Sequence, residues 1–152
     1  MLGAITGDMA EKFTLPTHGH PKGIKEAKAS AIFLGRTGHS KEQIKEYVIH
    51  QFGYNLNQTC DEIRPTYYFN ESCADTVPQA MVVFLDSTDF EHAIRLAISF
   101  GGDSDTLACI TGGIAQAFYG GVPEFIATQS LSYLDADLRA ITEQFMTKYA
   151  LV

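Results

Sequence analysis

Apolar residues recur along most of the chain at the spacing of a helix face rather than that of a strand. One such stripe, between residues 89 and 102, consists of Phe90, Ala93, Ile94, Ala97 and Ile98. Similar stripes predict further helices over residues 21–35, 40–53, 74–87, 104–119, 123–132 and 135–149. No segment keeps a period-two alternation, so the sequence predicts an all-α fold, a compact domain of several helices.

Local signals mark where several of these helices begin and end. Ser40 with Gln43, and Thr88 with Glu91, have the spacing of capping boxes, and Asp135 is a candidate cap for the last helix. Gly53, and either Gly101 or Gly102, are suited to end a helix in the left-handed conformation. Residues 54–72 are rich in Asn, Tyr and turn residues and predict a long ordered loop.

Composition limits the functional classes. The 152 residues suit a single domain over residues 1–152, and the net charge of −7 argues against nonspecific binding to nucleic acid. No apolar run is long enough to span a membrane, and the N-terminus has no basic segment typical of a signal peptide. Three cysteines without metal-binding spacing fit a reducing compartment, so we expect a cytoplasmic protein, with Cys109 in the core.

Two carboxylates stand at the start of the helix predicted over residues 104–119. Gly101 and Gly102 permit a sharp reversal, and Asp103, Asp105 and Thr106 then fall at the helix N-terminus. Capping explains one aspartate, because a carboxylate complements the helix dipole. A second carboxylate so close repels the first, and a bound hard cation such as Mg²⁺ or Mn²⁺ would relieve that repulsion. These residues alone leave capping and cation binding as open alternatives.

Four segments together resemble a known family. They are "LGAITGD" at residues 2–8, "THGHPKG" at residues 17–23, "SCADTVPQA" at residues 72–80, and "GGDSDTLACITGGIAQAFYGGVP" at residues 101–123. In this order they resemble the ADP-ribosylglycohydrolase family, which includes the dinitrogenase-reductase-activating glycohydrolases. The resemblance covers nearly the whole chain.

The resemblance implies an all-helical fold, a pair of Mg²⁺ or Mn²⁺ ions, and hydrolysis of the glycosidic bond in ADP-ribosylated substrates. It implies that Asp103, Asp105 and Thr106 are metal ligands. The residues expected at the ADP-ribose ligand are Asp8, His20, Ser72, Gly101, Gly102, Ser104 and Tyr119. Tyr67, Tyr68 and Phe69 are further candidates for stacking on an adenine, although such clusters more often belong to a core.

The chain also departs from the family pattern. The family carries a T-D-D-T motif after the initial Gly-Asp, and this motif occurs nowhere in the chain. We therefore expect an internal truncation between residues 8 and 17, and a half-site for one cation; a second ion would need ligands from elsewhere, such as Asp8 or a second copy of the chain. Asp75 and Thr76 are the nearest imitation of the missing motif, but they align with a different family segment, so we do not expect them to replace it. The alternative is a catalytically degenerate member that binds ADP-ribose or a nucleotide, or serves only as a helical module. A shortened domain leaves apolar helix faces uncovered, which predicts a homodimer.

Overall fold

The computed structural model describes Pro21, residues 38–69 and residues 72–149, and in these residues it contains helices and no strand. The helices are α1 (Lys41–Phe52), α2 (Cys60–Ile63), α3 (Cys73–Asp86), α4 (Phe90–Ser99), α5 (Ser104–Tyr119), α6 (Glu124–Ser132) and α7 (Ala136–Tyr149). This confirms the all-α prediction. The helix predicted over residues 21–35 lies outside the described residues, except for Pro21.

Most predicted helix ends are confirmed, and one capping residue is different. Ser40 and Gln43 form the expected capping box of α1, and Gly53 ends that helix in the left-handed conformation. The prediction of a Thr88–Glu91 box is wrong, because Asp89 caps α4 and its Oδ1 accepts the N–H of His92 at 2.8 Å. Both Thr88 and Asp89 are favourable caps, and the chain begins the helix one residue later than expected.

The predicted loop at residues 54–72 contains a short helix. Thr59 and Glu62 form a capping box at the start of α2, and a 3-10 turn, Arg64–Thr66, follows directly. The carboxylate of Asp86, at the end of α3, accepts the backbone N–H of Cys60 at 2.8 Å. This long-range hydrogen bond supports an element too short to be stable alone.

The core lies between α3, α4 and α5. Side chains of α3 supply its centre, and those fully buried include Met81, Val83 and Phe84. A Cβ atom at Gly112 of α5 would lie 3.0 Å from Ile94 Cδ1 of α4, so this glycine permits close packing of the two helices. Gly113 has no such neighbour. Cys109 is exposed, contrary to the prediction, because the buried face of α5 passes through Leu107, Thr111, Ile114 and Ala115.

Lys41 ties the start of α1 to the end of α3. Its Nζ donates to the carbonyls of Phe84 at 2.8 Å and Leu85 at 3.2 Å, and also to the carbonyl of Ser87. The ammonium also lies 4.7 Å from the centre of the Phe84 ring and 5.3 Å from that of Tyr119. A cation at this point satisfies the last carbonyls of α3 and complements its dipole.

The last two helices differ from the rest of the described chain. Asp135 caps α7 as predicted, with its Oδ1 accepting the N–H of Leu138 at 2.9 Å. The stripe of α7 is nevertheless exposed at Leu138, Ile141 and Phe145, and α6 has no buried residue. Among the described helices, none has the length and hydropathy that crossing a membrane requires.

Candidate metal and ligand site

The turn between α4 and α5 reverses the chain through two glycines. Gly101 and Gly102 have φ values of 68° and 56°, a region that side chains disfavour. Asp103 follows as the N-cap residue of α5, and Asp105 lies in the first turn of that helix. The sequence prediction of a glycine reversal leading into an acidic helix start is confirmed.

A second segment holds this turn in place. A Cβ atom at Gly102 would lie 3.1 Å from Tyr67 Cε1 and 3.2 Å from the backbone nitrogen of Phe69. The hydroxyl of Tyr67 donates to the backbone carbonyl of Asp103 at 3.3 Å. Residues 67–69 therefore press directly against the acidic turn, and Gly102 leaves them the space to do so.

Phe100 fixes the other side of the turn. Its buried ring meets Tyr67 edge-on, with the ring centres 5.3 Å apart. The guanidinium of Arg64 lies 5.5 Å from the centre of the same ring. A cation above one face and an aromatic edge against the ring are both favourable contacts. Packing of Phe100 against Tyr67 and Arg64 therefore holds the turn in place.

The two aspartate side chains have different surroundings. The side chain of Asp103 makes no capping hydrogen bond to α5, although Asp103 occupies the N-cap position. A hydrogen bond with the Asp103 side chain, followed by those with the backbone N–H groups of Thr106 and Asp105, lowers the pKa of Asp105. Asp105 and Thr106 are exposed, whereas the next residue, Leu107, is fully buried. The oxygen donors therefore face solvent from a helix anchored in the core.

The donor set is chemically suited to a hard cation but is incomplete. Two carboxylates and the Thr106 hydroxyl are oxygen ligands of the type that Mg²⁺ and Mn²⁺ prefer. Within the described part of the chain, no group of three or more His, Cys, Asp and Glu side chains is placed to hold a metal. The types of donor present suit one hard cation, and water would have to fill its remaining coordination positions.

Asp75 and Thr76 do not add to this donor set. Thr76 is buried, and its Oγ1 donates to the carbonyl of Ser72 at 3.1 Å. Asp75 lines a cleft of about 330 Å³ together with Gln58 and Gln79. The Thr76 hydroxyl is therefore already hydrogen-bonded within the core and is not a free donor that could replace part of the family's T-D-D-T motif.

The remaining predicted ligand residues are not all brought together. Ser104 is the first residue of α5, beside Asp103, and Ser72 is the N-cap of α3. Tyr119 ends α5, about 21 Å from Asp105 at the rise of an α-helix, and its hydroxyl donates to the Ser87 carbonyl at 3.0 Å. Asp8 and His20 lie outside the described residues.

Two aromatic side chains lie exposed at the turn. Tyr68 and Phe69 expose 69% and 61% of their surface, although their backbone touches Gly102. From the sequence, these two residues were candidates for stacking on an adenine, with a place in the core as the more common alternative. Tyr67 hydrogen-bonds to a residue 36 positions later in the chain. No local sequence signal predicts this contact.

Comparison with known proteins agrees with the sequence resemblance. A segment of 60 residues is 42% identical to the ADP-ribosylarginine hydrolase Tri1 of Serratia proteamaculans (strain 568). This segment is 40% of the present chain but only 15% of that protein. No solved structure matches significantly. The family model of ADP-ribosylglycohydrolase matches residues 4–151, nearly the full length. The chain therefore belongs to the ADP-ribosylglycohydrolase family.

Proposed function

We propose that this protein hydrolyses the glycosidic bond of an ADP-ribosylated side chain with the help of a divalent cation. The observation that carries the proposal is the pair of carboxylates at the start of α5, of which Asp103 is not used as a cap. Family membership supports the reaction class. A rigid helix anchored by Leu107 favours precise placement of ligands.

In this proposal Asp103, Asp105 and Thr106 hold one Mg²⁺ or Mn²⁺ ion. The donor chemistry fits a hard cation, and water is expected at the other coordination positions. A bound divalent cation supplies Lewis acidity and lowers the pKa of water. By resemblance, the second ion would be held by the T-D-D-T motif, which this chain lacks, so a single-ion site is proposed.

The chain's own residues bind and orient the substrate. The hydroxyl of Ser104, the first residue of α5, is suited to a phosphate or hydroxyl oxygen of the substrate. Tyr68 and Phe69 offer exposed rings beside the same turn, where a flat base can stack. At Gly101 a Cβ atom would meet no other atom within 4 Å, so the turn is open at that residue. By resemblance, Asp8, His20, Ser72 and Tyr119 complete the ADP-ribose site, with Tyr119 at the opposite end of α5 from Asp105.

The acceptor from which ADP-ribose is removed is proposed to be an arginine side chain. The matching segment of Tri1, a protein named as an ADP-ribosylarginine hydrolase, supports this choice. We further propose that residues 1–152 act as one domain, shortened between residues 8 and 17, in the cytoplasm. The free thiols of Cys60 and Cys109 are consistent with a reducing compartment.

The incomplete donor set favours a second candidate function. A member with only two carboxylates at the turn is suited to binding ADP-ribose without hydrolysing it. Binding and hydrolysis are separable experimentally, because the first needs no turnover. Titration with free ADP-ribose distinguishes a binding module from a helical domain that has lost the ligand.

The test is release of ADP-ribose from an ADP-ribosyl-arginine peptide in the presence of Mn²⁺. We expect Asp105→Asn to reduce the rate at least about 100-fold, since it removes a charged ligand of the metal. Asp137→Asn is the matched control, because Asp137 is also an exposed aspartate in the first turn of a helix. Equal rates for parent and Asp105→Asn would refute the role of the turn. ADP-ribose binding without release would favour the second candidate.

A further inference from the structure

The side chain of Tyr67 reaches the backbone of a proposed metal ligand. Its hydroxyl donates to the carbonyl of Asp103 at 3.3 Å, across 36 positions of the chain. The same carbonyl accepts the N–H of Leu107 at 3.1 Å, which is the first hydrogen bond of α5. The peptide group that follows Asp103 is therefore held from two directions, by the helix itself and by a side chain from outside the helix.

Asp103 does not use the common local means of fixing an N-cap residue. An N-cap aspartate ordinarily accepts a backbone N–H of the first helical turn with its own carboxylate. The side chain of Asp103 makes no such hydrogen bond. Its φ and ψ of −83° and 56° also lie outside the helical and extended regions. The conformation of Asp103 therefore depends on contacts with other parts of the chain, and the hydrogen bond from Tyr67 is such a contact.

The ring of Tyr67 is itself held in place by the turn that it supports. Its edge-on contact with the buried ring of Phe100 has the two ring centres 5.3 Å apart. Its Cε1 atom lies 3.1 Å from the position that a Cβ atom of Gly102 would take. One side chain thus lies against Phe100, Gly102 and Asp103, three of the four residues that lead into α5. Because packing already orders the ring, the hydroxyl is directed at Asp103 without further ordering.

We propose that Tyr67 is a positioning residue for the cation site at the start of α5, rather than a stacking partner for the adenine. This inference rests on the proposed function, in which Asp103, Asp105 and Thr106 hold the ion. Ligands that are ordered before the ion arrives bind it more tightly, because less conformational freedom is lost on binding. Tyr67 touches neither the ion nor the substrate in this role, and it acts through the backbone of Asp103.

The test is calorimetric titration of Mn²⁺ into the chelator-treated full chain and its Tyr67→Phe variant, which keeps the ring and removes only the hydroxyl. We expect Tyr67→Phe to raise the dissociation constant for Mn²⁺ about 3- to 10-fold, the range for loss of one ordinary hydrogen bond. Tyr54→Phe is the matched control, because it removes the hydroxyl of another buried tyrosine, whose ring stacks on Phe52. The control should bind Mn²⁺ as tightly as the parent.

The outcomes separate this inference from the proposed function. Equal Mn²⁺ affinity in the parent and in Tyr67→Phe would overturn the positioning role alone and leave the metal site intact. The same loss of affinity in Tyr54→Phe would also overturn it, because a general loss of stability would then explain both variants. A parent that binds no Mn²⁺ would refute the metal site, and the inference with it. Urea unfolding of each variant establishes that it is folded and measures any change in stability separately.

Discussion

Gly102 and Gly113 lie close together in sequence but under different constraints. Gly102 has a φ of 56°, and its missing Cβ atom makes room for the backbone of Tyr68 and Phe69. Gly113 lies within α5, and a Cβ atom there would have no neighbour within 4 Å. A side chain at Gly102 meets both backbone strain and contact with backbone atoms that cannot move aside cheaply. At Gly113 a side chain meets neither.

We expect Gly102→Ala to lower the free energy of unfolding by about 1–3 kcal/mol, because of strain at positive φ and the tight contacts. Gly113→Ala should raise it by about 0.5–1 kcal/mol, because alanine is the better helix former. Urea denaturation followed by circular dichroism measures both. If the two substitutions have the same sign, the described contact between the turn and residues 67–69 is wrong.

At the scale of elements, α1 and α3 are joined through one ammonium group. Lys41 donates to carbonyls in the last turn of α3 and lies above the ring of Phe84. Its partners lie more than 40 positions away along the chain. Lys45, one turn further along α1, is the natural comparison because it has the same side chain on the same helix.

Lys41→Met keeps the aliphatic stem but removes the charge, leaving the carbonyls of Phe84 and Leu85 without this donor. We expect a loss of about 2–3 kcal/mol in the free energy of unfolding, the range for hydrogen bonds to a charged group. Lys45→Met should cost about 0.5 kcal/mol or less, as is usual for such surface positions. Thermal and urea unfolding check both values. If Lys41→Met lowers the free energy of unfolding no more than Lys45→Met does, the contact between Lys41 and α3 contributes little to stability.

The elements also show how far the sequence alone can reach. The capping box of α1 and its terminal Gly53 depend on residues within a few positions, and both were predictable. Thr88 and Asp89 are both good caps, so the choice of Asp89 depends on packing that local pattern does not contain. The contacts of Lys41 with α3 and of Tyr67 with Asp103 join distant parts of the chain. No hydrophobic periodicity or residue spacing in the sequence predicts such contacts.

At the scale of the whole molecule, the acidic turn was predictable and its surroundings were not. Family signature and glycine-aspartate spacing placed Asp103, Asp105 and Thr106 at the start of a helix, where the structure has them. The approach of Tyr68 and Phe69 to Gly102 depends on the folding of residues 54–69. The stripe of α7 was correctly predicted as apolar, but a stripe predicts a partner surface without saying which one. Whether this stripe is exposed depends on how the helices pack together, which the pattern of apolar residues does not show.

The turn before α5 is proposed to bind a divalent cation, and calorimetric titration measures that binding without requiring turnover. Mn²⁺ is titrated into chelator-treated protein, into Asp105→Asn and into the matched control Asp137→Asn. We expect saturable binding of about one ion per chain in the parent and control, with binding lost in Asp105→Asn. The contrary result is no binding in the parent, or equal binding in all three proteins. Asp103 and Asp105 would then be surface carboxylates of a helix start, and the metal-assisted mechanism would be excluded.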